Sequence, residues 1–456
     1  MPKISKDKTR FSFSELNDAL SKFSPDGAIL EDSVYARIDE FIPTGPYILN
    51  AALSGSLFGG LPNRRSLTFA GEEGTGKTYL ALSIARNAQA MGYSIIYYDS
   101  EGGIDIDFVK RLGVNTKNFR IENINTIEQF ATLTAKLNET IKNLRDKGKE
   151  PPKILAILDS LGNLSTIKEK DDTTAGSGKR DMTKQQAIRR TFRVVGTDFA
   201  KNAIPFIICN HVYAAIGSFF PHNEVSGGGG IKYNSSMIFM LTKSKLTDKD
   251  SEEFIKKRGV EAPRIGIVVT VTPLKQRFAR PIKVQIHIPF YKKPNPYVGL
   301  EKFVSWENCG ILRGKSLDEK DYNKLKPEEQ SACHEFLVLE EKKLTKFEYT
   351  ELQEDERKRV ISKDNKYYLK TEVKKYAFPK DTARTLVCKH LNGEVPISKL
   401  YTEEIFTQEI LKELDEKVIK PTFMLPSIES LEDLVDITAE LELEELEDFE
   451  IDDIEI

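Results

Sequence analysis

The stretch SLTFAGEEGTGKTYLALSIARNAQAMGYSIIYYDSE, residues 66–101, constrains the fold more than any other. An apolar run (66–70) leads into Gly71-x-x-x-x-Gly76-Lys77-Thr78, a helical pattern follows over Thr78–Met91, and a second apolar run ends on Asp99-Ser100-Glu101. A glycine-rich turn between a strand and a helix lets backbone N–H groups converge on phosphate oxygens, and the helix N-terminus adds its positive end. The spacing therefore predicts a phosphate cradle made of Gly71, Glu72, Glu73, Gly74, Thr75, Gly76, Lys77 and Thr78. Lys77 is predicted to reach the β and γ phosphates, and the Thr78 hydroxyl to ligate Mg²⁺.

Such a site also needs an acid beside the metal and a group that activates water. The run LAILDS (155–160) ends a strand on Asp159, which suits an acid holding the Mg²⁺ shell. Glu101 lies at the end of the strand after the cradle's helix, where parallel strands open on a ligand crevice. A carboxylate there, near the metal but not on it, can orient and deprotonate an attacking water. Asp99 is the rival for that role; alternation points Glu101 away from Ser100.

Residues 46–300 read as strands alternating with helices. Strands are predicted at 66–70, 94–100, 153–160, 205–210, 236–242, 264–272 and 282–288, and helices at Thr78–Met91, Asp107–Leu112, Thr126–Lys147 and Met182–Asn202. Continuous apolar strands separated by helices indicate an α/β fold with a mostly parallel sheet covered on both faces. The last strands lack intervening helices, so that edge is expected to be antiparallel. Two segments break the rhythm and read as loops: IKEKDDTTAGSGKRD (167–181) and VYAAIGSFFPHNEVSGGGG (212–230). Upstream, 1–45 is an appendage in which Phe13, Leu16, Leu20 and Phe23 recur at roughly helical spacing. Such a helix packs on its own domain or on a neighbouring subunit. A smaller charged C-terminal domain is expected over 301–426, with an antiparallel element within 342–373.

The net charge of −3 conceals a segregation: fourteen acids and no Lys or Arg follow Ile428, which leaves +11 on residues 1–428. A basic body predicts a polyanionic partner, and the acidic tail, 427–456, is expected to be disordered. Four scattered cysteines without a CxxC pair suit a reducing compartment. No apolar run approaches the ~18 residues of a membrane span, and the N-terminus lacks a signal-peptide run, so a cytoplasmic location is expected.

The stretches LNAALSG (49–55), YDSEGGI (98–104), LDSLGNL (158–164), RDMTKQQAIRRTFRVV (180–195) and CNHVYA (209–214) resemble RecA-type recombinases, and most closely the UvsX recombinases of T-even-type phages. The resemblance covers roughly 30–300. It implies a RecA-like P-loop ATPase core, with 1–45 as an oligomerisation segment and ATP and Mg²⁺ as cofactors. Glu101 resembles the family's catalytic glutamate, and Lys77, Thr78 and Asp159 match its nucleotide and metal positions. Asp105 and Phe108 fall where the family contacts adenine, although Phe108 also reads as a helix-core aromatic. His211 stands where relatives carry a γ-phosphate sensor; a core histidine is the alternative. Lys275 and Arg277 match positions that reach across the subunit interface to the neighbour's ATP, and are expected to assist catalysis there.

The two irregular segments match the family's DNA-binding loops. Lys168, Lys170, Lys179 and Arg180 in the first are expected to meet phosphates, and Tyr213, Phe219 and Phe220 in the second to meet bases, with Lys232 just beyond. The implied activity is ATP-dependent pairing and exchange of DNA strands by a homo-oligomeric helical filament on single-stranded DNA, with duplex DNA as second partner. The tail is read either as an autoinhibitory competitor of the DNA phosphates or as a docking segment for a single-strand-binding protein or recombination mediator. A hexameric helicase and a non-catalytic single-strand-binding mediator are the alternatives on this core.

Overall fold

A computed structural model describes residues 12–24, 27–33, 35–175, 183–214, 223–225, 234–247, 264–291, 293–300, 303, 316–324, 327, 330, 334–363, 366–377, 402–403 and 406–425. Its centre is an eight-stranded sheet. In chain order the strands are β1 (Ser66–Gly71), β2 (Ser94–Asp99), β3 (Phe119–Asn123), β4 (Ile154–Asp159), β5 (Phe206–Asn210), β6 (Met237–Thr247), β7 (Arg264–Lys275) and β8 (Val284–Pro289). Across the sheet they run β8-β7-β6-β1-β5-β4-β2-β3. The strands from β6 to β3 pair in parallel, whereas β6 with β7 and β7 with β8 are antiparallel, as the missing helices imply.

The two-residue strand period separates two cores. Ile95 and Tyr97, Leu155 and Ile157, and Ile207 and Cys209 face one side; Tyr98, Ala156, Leu158, Phe206 and Ile208 face the other. On the first side lie α2 (Tyr47–Ser54) and α3 (Lys77–Ala90). On the second lie α5 (Ile127–Asp146) and α7 (Lys184–Lys201), which stack Phe130 and Phe192 with Phe206 of β5. Burial of both faces is why these strands read as apolar runs without alternation. A short α4 (Ile106–Arg111) joins β2 to β3.

The C-terminal part divides in two. One piece is a four-stranded antiparallel sheet of Ser316–Asp318, His334–Leu344, Val360–Lys363 and Lys366–Ala377, which contains the element expected within 342–373. The other, 406–423, joins the first core through Phe406, Leu411, Leu414, Ile419 and Phe423. Its buried Asp415 accepts hydrogen bonds from the Leu57 N–H (2.6 Å) and the Ser56 hydroxyl (2.7 Å), fixing the turn after α2. Among the described residues, no helix is long and apolar enough to cross a membrane.

Two expectations need correction. The segment 167–181 is not a loop throughout: Ile167–Thr174 forms α6, capped by the Thr166 side chain, which accepts from the Glu169 N–H. Cap chemistry and the Lys184–Glu169 ion pair (3.4 Å) support a helix that has no apolar period. Within 212–230, Val212–Ala214 and Asn223–Val225 pair as a short antiparallel ribbon. The edge strand β3 was not anticipated at all. At the N-terminus, Phe13–Ser21 forms α1 with a Ser12/Glu15 capping box, and its apolar stripe is exposed, Phe13 by 72% and Leu20 by 56%, as is Phe23 just beyond the helix.

Candidate functional site

Register brings the acids together. Parallel pairing sets Asp99 opposite Asp159, Asp159 opposite Cys209, and Ala70 opposite Asn210. The C-terminal ends of β1, β2, β4 and β5 therefore open at one level, on a cleft of ≈ 990 Å³ lined by the cradle, Glu101, Asp159 and His211. This is where an open α/β sheet holds its ligand.

The cradle has the backbone its glycines allow. Gly76, at φ +91°, is the N-cap of α3, a conformation costly for any residue with a Cβ. Lys77, 7% exposed, donates from Nζ to the Gly71 and Glu72 carbonyls, each at 2.8 Å. Burial pushes the Lys77 ammonium below its ordinary range, which favours its moving onto an anion. Lys243 of β6 reaches the neighbouring Glu73 carbonyl.

Beside the cradle, the Thr78 hydroxyl donates to Asp159 Oδ2 at 2.6 Å. Its lone pairs remain for a cation, so the pair suits a magnesium ion whose other ligands are water and phosphate. Among the described residues no group of three or more His, Cys, Asp or Glu is placed to hold a metal ion. Burial raises the Asp159 carboxyl above its usual range, against hydrogen bonds from Thr78 and Tyr97.

The carboxylates at the end of β2 have separate tasks. Asp99 Oδ1 accepts from the N–H groups of Glu101 (2.9 Å) and Gly102 (2.8 Å), so Asp99 shapes the turn. That turn delivers Glu101 to the cleft. Its Oε1 accepts from the Ser160 hydroxyl at 2.6 Å and from His211 Nε2 at 2.9 Å, leaving Oε2 free of a protein donor among the described residues. Burial acts to raise the Glu101 carboxyl, but the Ser160 and His211 hydrogen bonds, with the charges of His211 and Lys77, outweigh it and hold it below the usual range. Ser100 Oγ bonds the Ser160 backbone both ways, at 2.6 and 2.8 Å, and locks the ends of β2 and β4 together. Gly162 lets the His211 ring approach: a Cβ there would lie 3.1 Å from it.

The remaining sequence candidates scatter. Phe108 lines the cleft, while Asp105 is spent as the N-cap of α4, accepting from the Asp107 and Phe108 N–H groups. Lys275 pairs with Ile238, which pairs with Thr68, three residues before Gly71, so it lies at the other end of the sheet; Arg277 follows it, and neither lines the cleft. Arg277 instead joins Arg64, Arg65 and Arg193 around a second cleft of ≈ 620 Å³. Burial and the nearby Arg277 charge both depress the Lys275 ammonium. Lys168 and Lys170 are exposed on α6, and Tyr213 lies in the ribbon, opposite Glu224. Lys179, Arg180, Phe219, Phe220 and Lys232 lie outside the described residues.

Sequence reasoning missed Tyr97, Ser160 and the aromatic rim formed by Phe290 and Tyr291 after β8. Their rings meet edge to face at 6.2 Å, with Arg264 over Phe290 at 5.4 Å. The exposed Phe-Tyr pair directly after a strand was the available signal.

A glycine cradle, a strand-end acid on its threonine and a second carboxylate across the cleft give the chain a P-loop arrangement at the crevice of a mostly parallel sheet. Residues 16–291, more than half the chain, match the family model of the RecA N-terminal domain, and the chain belongs to the RecA family. It is 28% identical over 223 residues to a "Recombination and repair protein" of Enterobacteria phage T4, covering 48% of this chain and 55% of that protein. To a "Protein RecA" of Treponema denticola it is 28% identical over 267 residues, covering 57% and 58%. A "Protein RecA" of Thermus thermophilus is also 28% identical, over 287 residues, covering 60% and 77%. The chain thus spans little more than half the length of the first two relatives.

Proposed function

We propose that the chain is an ATP-dependent DNA recombinase that assembles as a helical filament on single-stranded DNA, pairs that strand with homologous duplex and exchanges strands. The observation that carries this reading is the separation of Lys275 and Arg277 from their own cradle, at the opposite end of the sheet. Cations so placed serve a nucleotide held by an adjacent copy, as arginine fingers do. Filament assembly and nucleotide binding then become one linked equilibrium.

Within the site, the backbone N–H groups of the cradle and Lys77 hold the phosphates, and Thr78 with Asp159 holds the metal. Magnesium, when bound, neutralises phosphate charge and fixes the geometry of the transferring group. Glu101 orients the attacking water and takes its proton through Oε2, while Ser160 and His211 hold the other oxygen. His211 also immediately precedes the segment 212–230, so a change at Glu101 passes directly to the DNA-facing loop. Lys168, Lys170, Lys179, Arg180 and Lys232 meet DNA phosphates, and Tyr213, Phe219 and Phe220 stack on bases without reading sequence. The exposed stripe of α1 docks on the neighbouring copy. The acidic tail engages a single-strand-binding protein or mediator.

ATP hydrolysis with and without single-stranded DNA, paired with electron microscopy, tests the reading. Hydrolysis stimulated by DNA together with helical filaments is expected. Closed rings, or the absence of hydrolysis, would refute it.

A further inference from the structure

Tyr97 sits in the middle of β2, 2% exposed, on the α3 side of the sheet. Its strand partner on β4 is Ile157, so Asp159 lies two residues further along the same face, within reach of a long aromatic side chain. The phenol donates to Asp159 Oδ2 at 2.8 Å, the same oxygen that accepts from Thr78. Ring contact with Phe119, centroids 5.5 Å apart, helps to fix the phenol's position.

We propose that Tyr97 is a positioning residue for the metal site: its hydroxyl, with that of Thr78, pins Asp159 Oδ2 and thereby turns Oδ1 toward the magnesium shell. A carboxylate free to rotate about its terminal bond would divide its time between orientations, and only a fraction would meet the cation. Two donors on one oxygen remove that freedom. Hydrogen-bond partners of a metal-holding carboxylate cost roughly 10–100-fold in metal affinity when removed. This inference rests on the proposed nucleotide and magnesium site and adds to it a residue that no P-loop pattern contains.

Tyr97→Phe removes the one oxygen and leaves the ring packing, and Tyr98→Phe, one residue on and facing the other core, is the control. Magnesium is titrated against binding of a fluorescent, non-hydrolysable ATP analogue by the full chain, and thermal unfolding is recorded without nucleotide. The expected result is about a tenfold rise in the magnesium concentration for half-maximal binding in Tyr97→Phe, recovery of normal binding at saturating magnesium, and no shift in Tyr98→Phe. An unchanged or lower magnesium requirement in Tyr97→Phe overturns the inference while leaving the proposed site intact. A shift of equal size in Tyr98→Phe also overturns it, because a general loosening of β2 would then explain both. Failure of the unaltered chain to bind the analogue in a magnesium-dependent way overturns the proposed site and this inference together.

Discussion

Mixing two inactive variants separates a shared site from a self-contained one. Glu101→Ala removes the carboxylate that faces the cleft, and Arg277→Ala removes a cation from the far end of the sheet. Lys275 lies two strands from β1 and level with Thr68, about 10 Å across the sheet and about 10 Å along it from Gly71. That separation exceeds the ~8 Å screening length at physiological salt, so loss of charge there has little effect on a site within the same chain. Across a subunit contact, loss of such a cation costs on the order of 10³ or more in hydrolysis. Each variant alone should therefore be nearly inactive on single-stranded DNA. In a random one-to-one mixture, about a quarter of interfaces join an intact Glu101 to an intact Arg277, so about a quarter of normal hydrolysis should return. A coupled ATPase assay on pre-mixed chains reads this directly. No recovery above the two separate rates, or an Arg277→Ala chain with normal hydrolysis, would refute the reasoning.

Other perturbations address single parts of the site. Glu101→Ala should retain analogue binding and lose hydrolysis by ~10² or more, measured at saturating ATP and DNA; near-normal turnover would remove Glu101 as the base. Ser160→Ala withdraws a hydrogen bond that holds the Glu101 carboxyl down, so that pKa should rise and the acid limb of the pH–rate profile should move to higher pH; an unmoved limb would show that Ser160 does not tune it. Phe219→Ala with Phe220→Ala should weaken single-strand binding by up to a few kcal/mol, read by fluorescence anisotropy, and unchanged affinity would exclude stacking by this pair.

The parallel core was legible because burial on both faces writes β1, β4 and β5 as unbroken apolar runs. The edge strand Phe119–Asn123 has only one neighbour, is half exposed and carries Arg120 and Glu122, so it gives no such run. Helix α6 was hidden for another reason: it buries no residue, and its local support is a cap. Within the site, the cradle is local in sequence and could be read from spacing alone. Asp159 needed only the rule that strand ends converge, whereas preferring Glu101 to Asp99 also took alternation and the family resemblance. Tyr97 and Ser160 could not be found that way, because their contacts depend on how β2 and β4 are registered against each other. Phe290 and Tyr291 arrive from β8, at the far edge of the sheet, and only the assembled sheet brings them to the cradle. The helical segment 408–423 likewise declares its place through Asp415 and the turn at Ser56-Leu57, more than 350 residues apart in sequence.

Electron cryo-microscopy of the chain with magnesium, a non-hydrolysable ATP analogue and single-stranded DNA tests the shared site most directly. The analogue should lie between two adjoining copies, with Lys77, Thr78, Asp159 and Glu101 from one and Lys275 and Arg277 from the next. An analogue enclosed by a single copy, with every Lys275 and Arg277 remote from phosphate, would contradict the account.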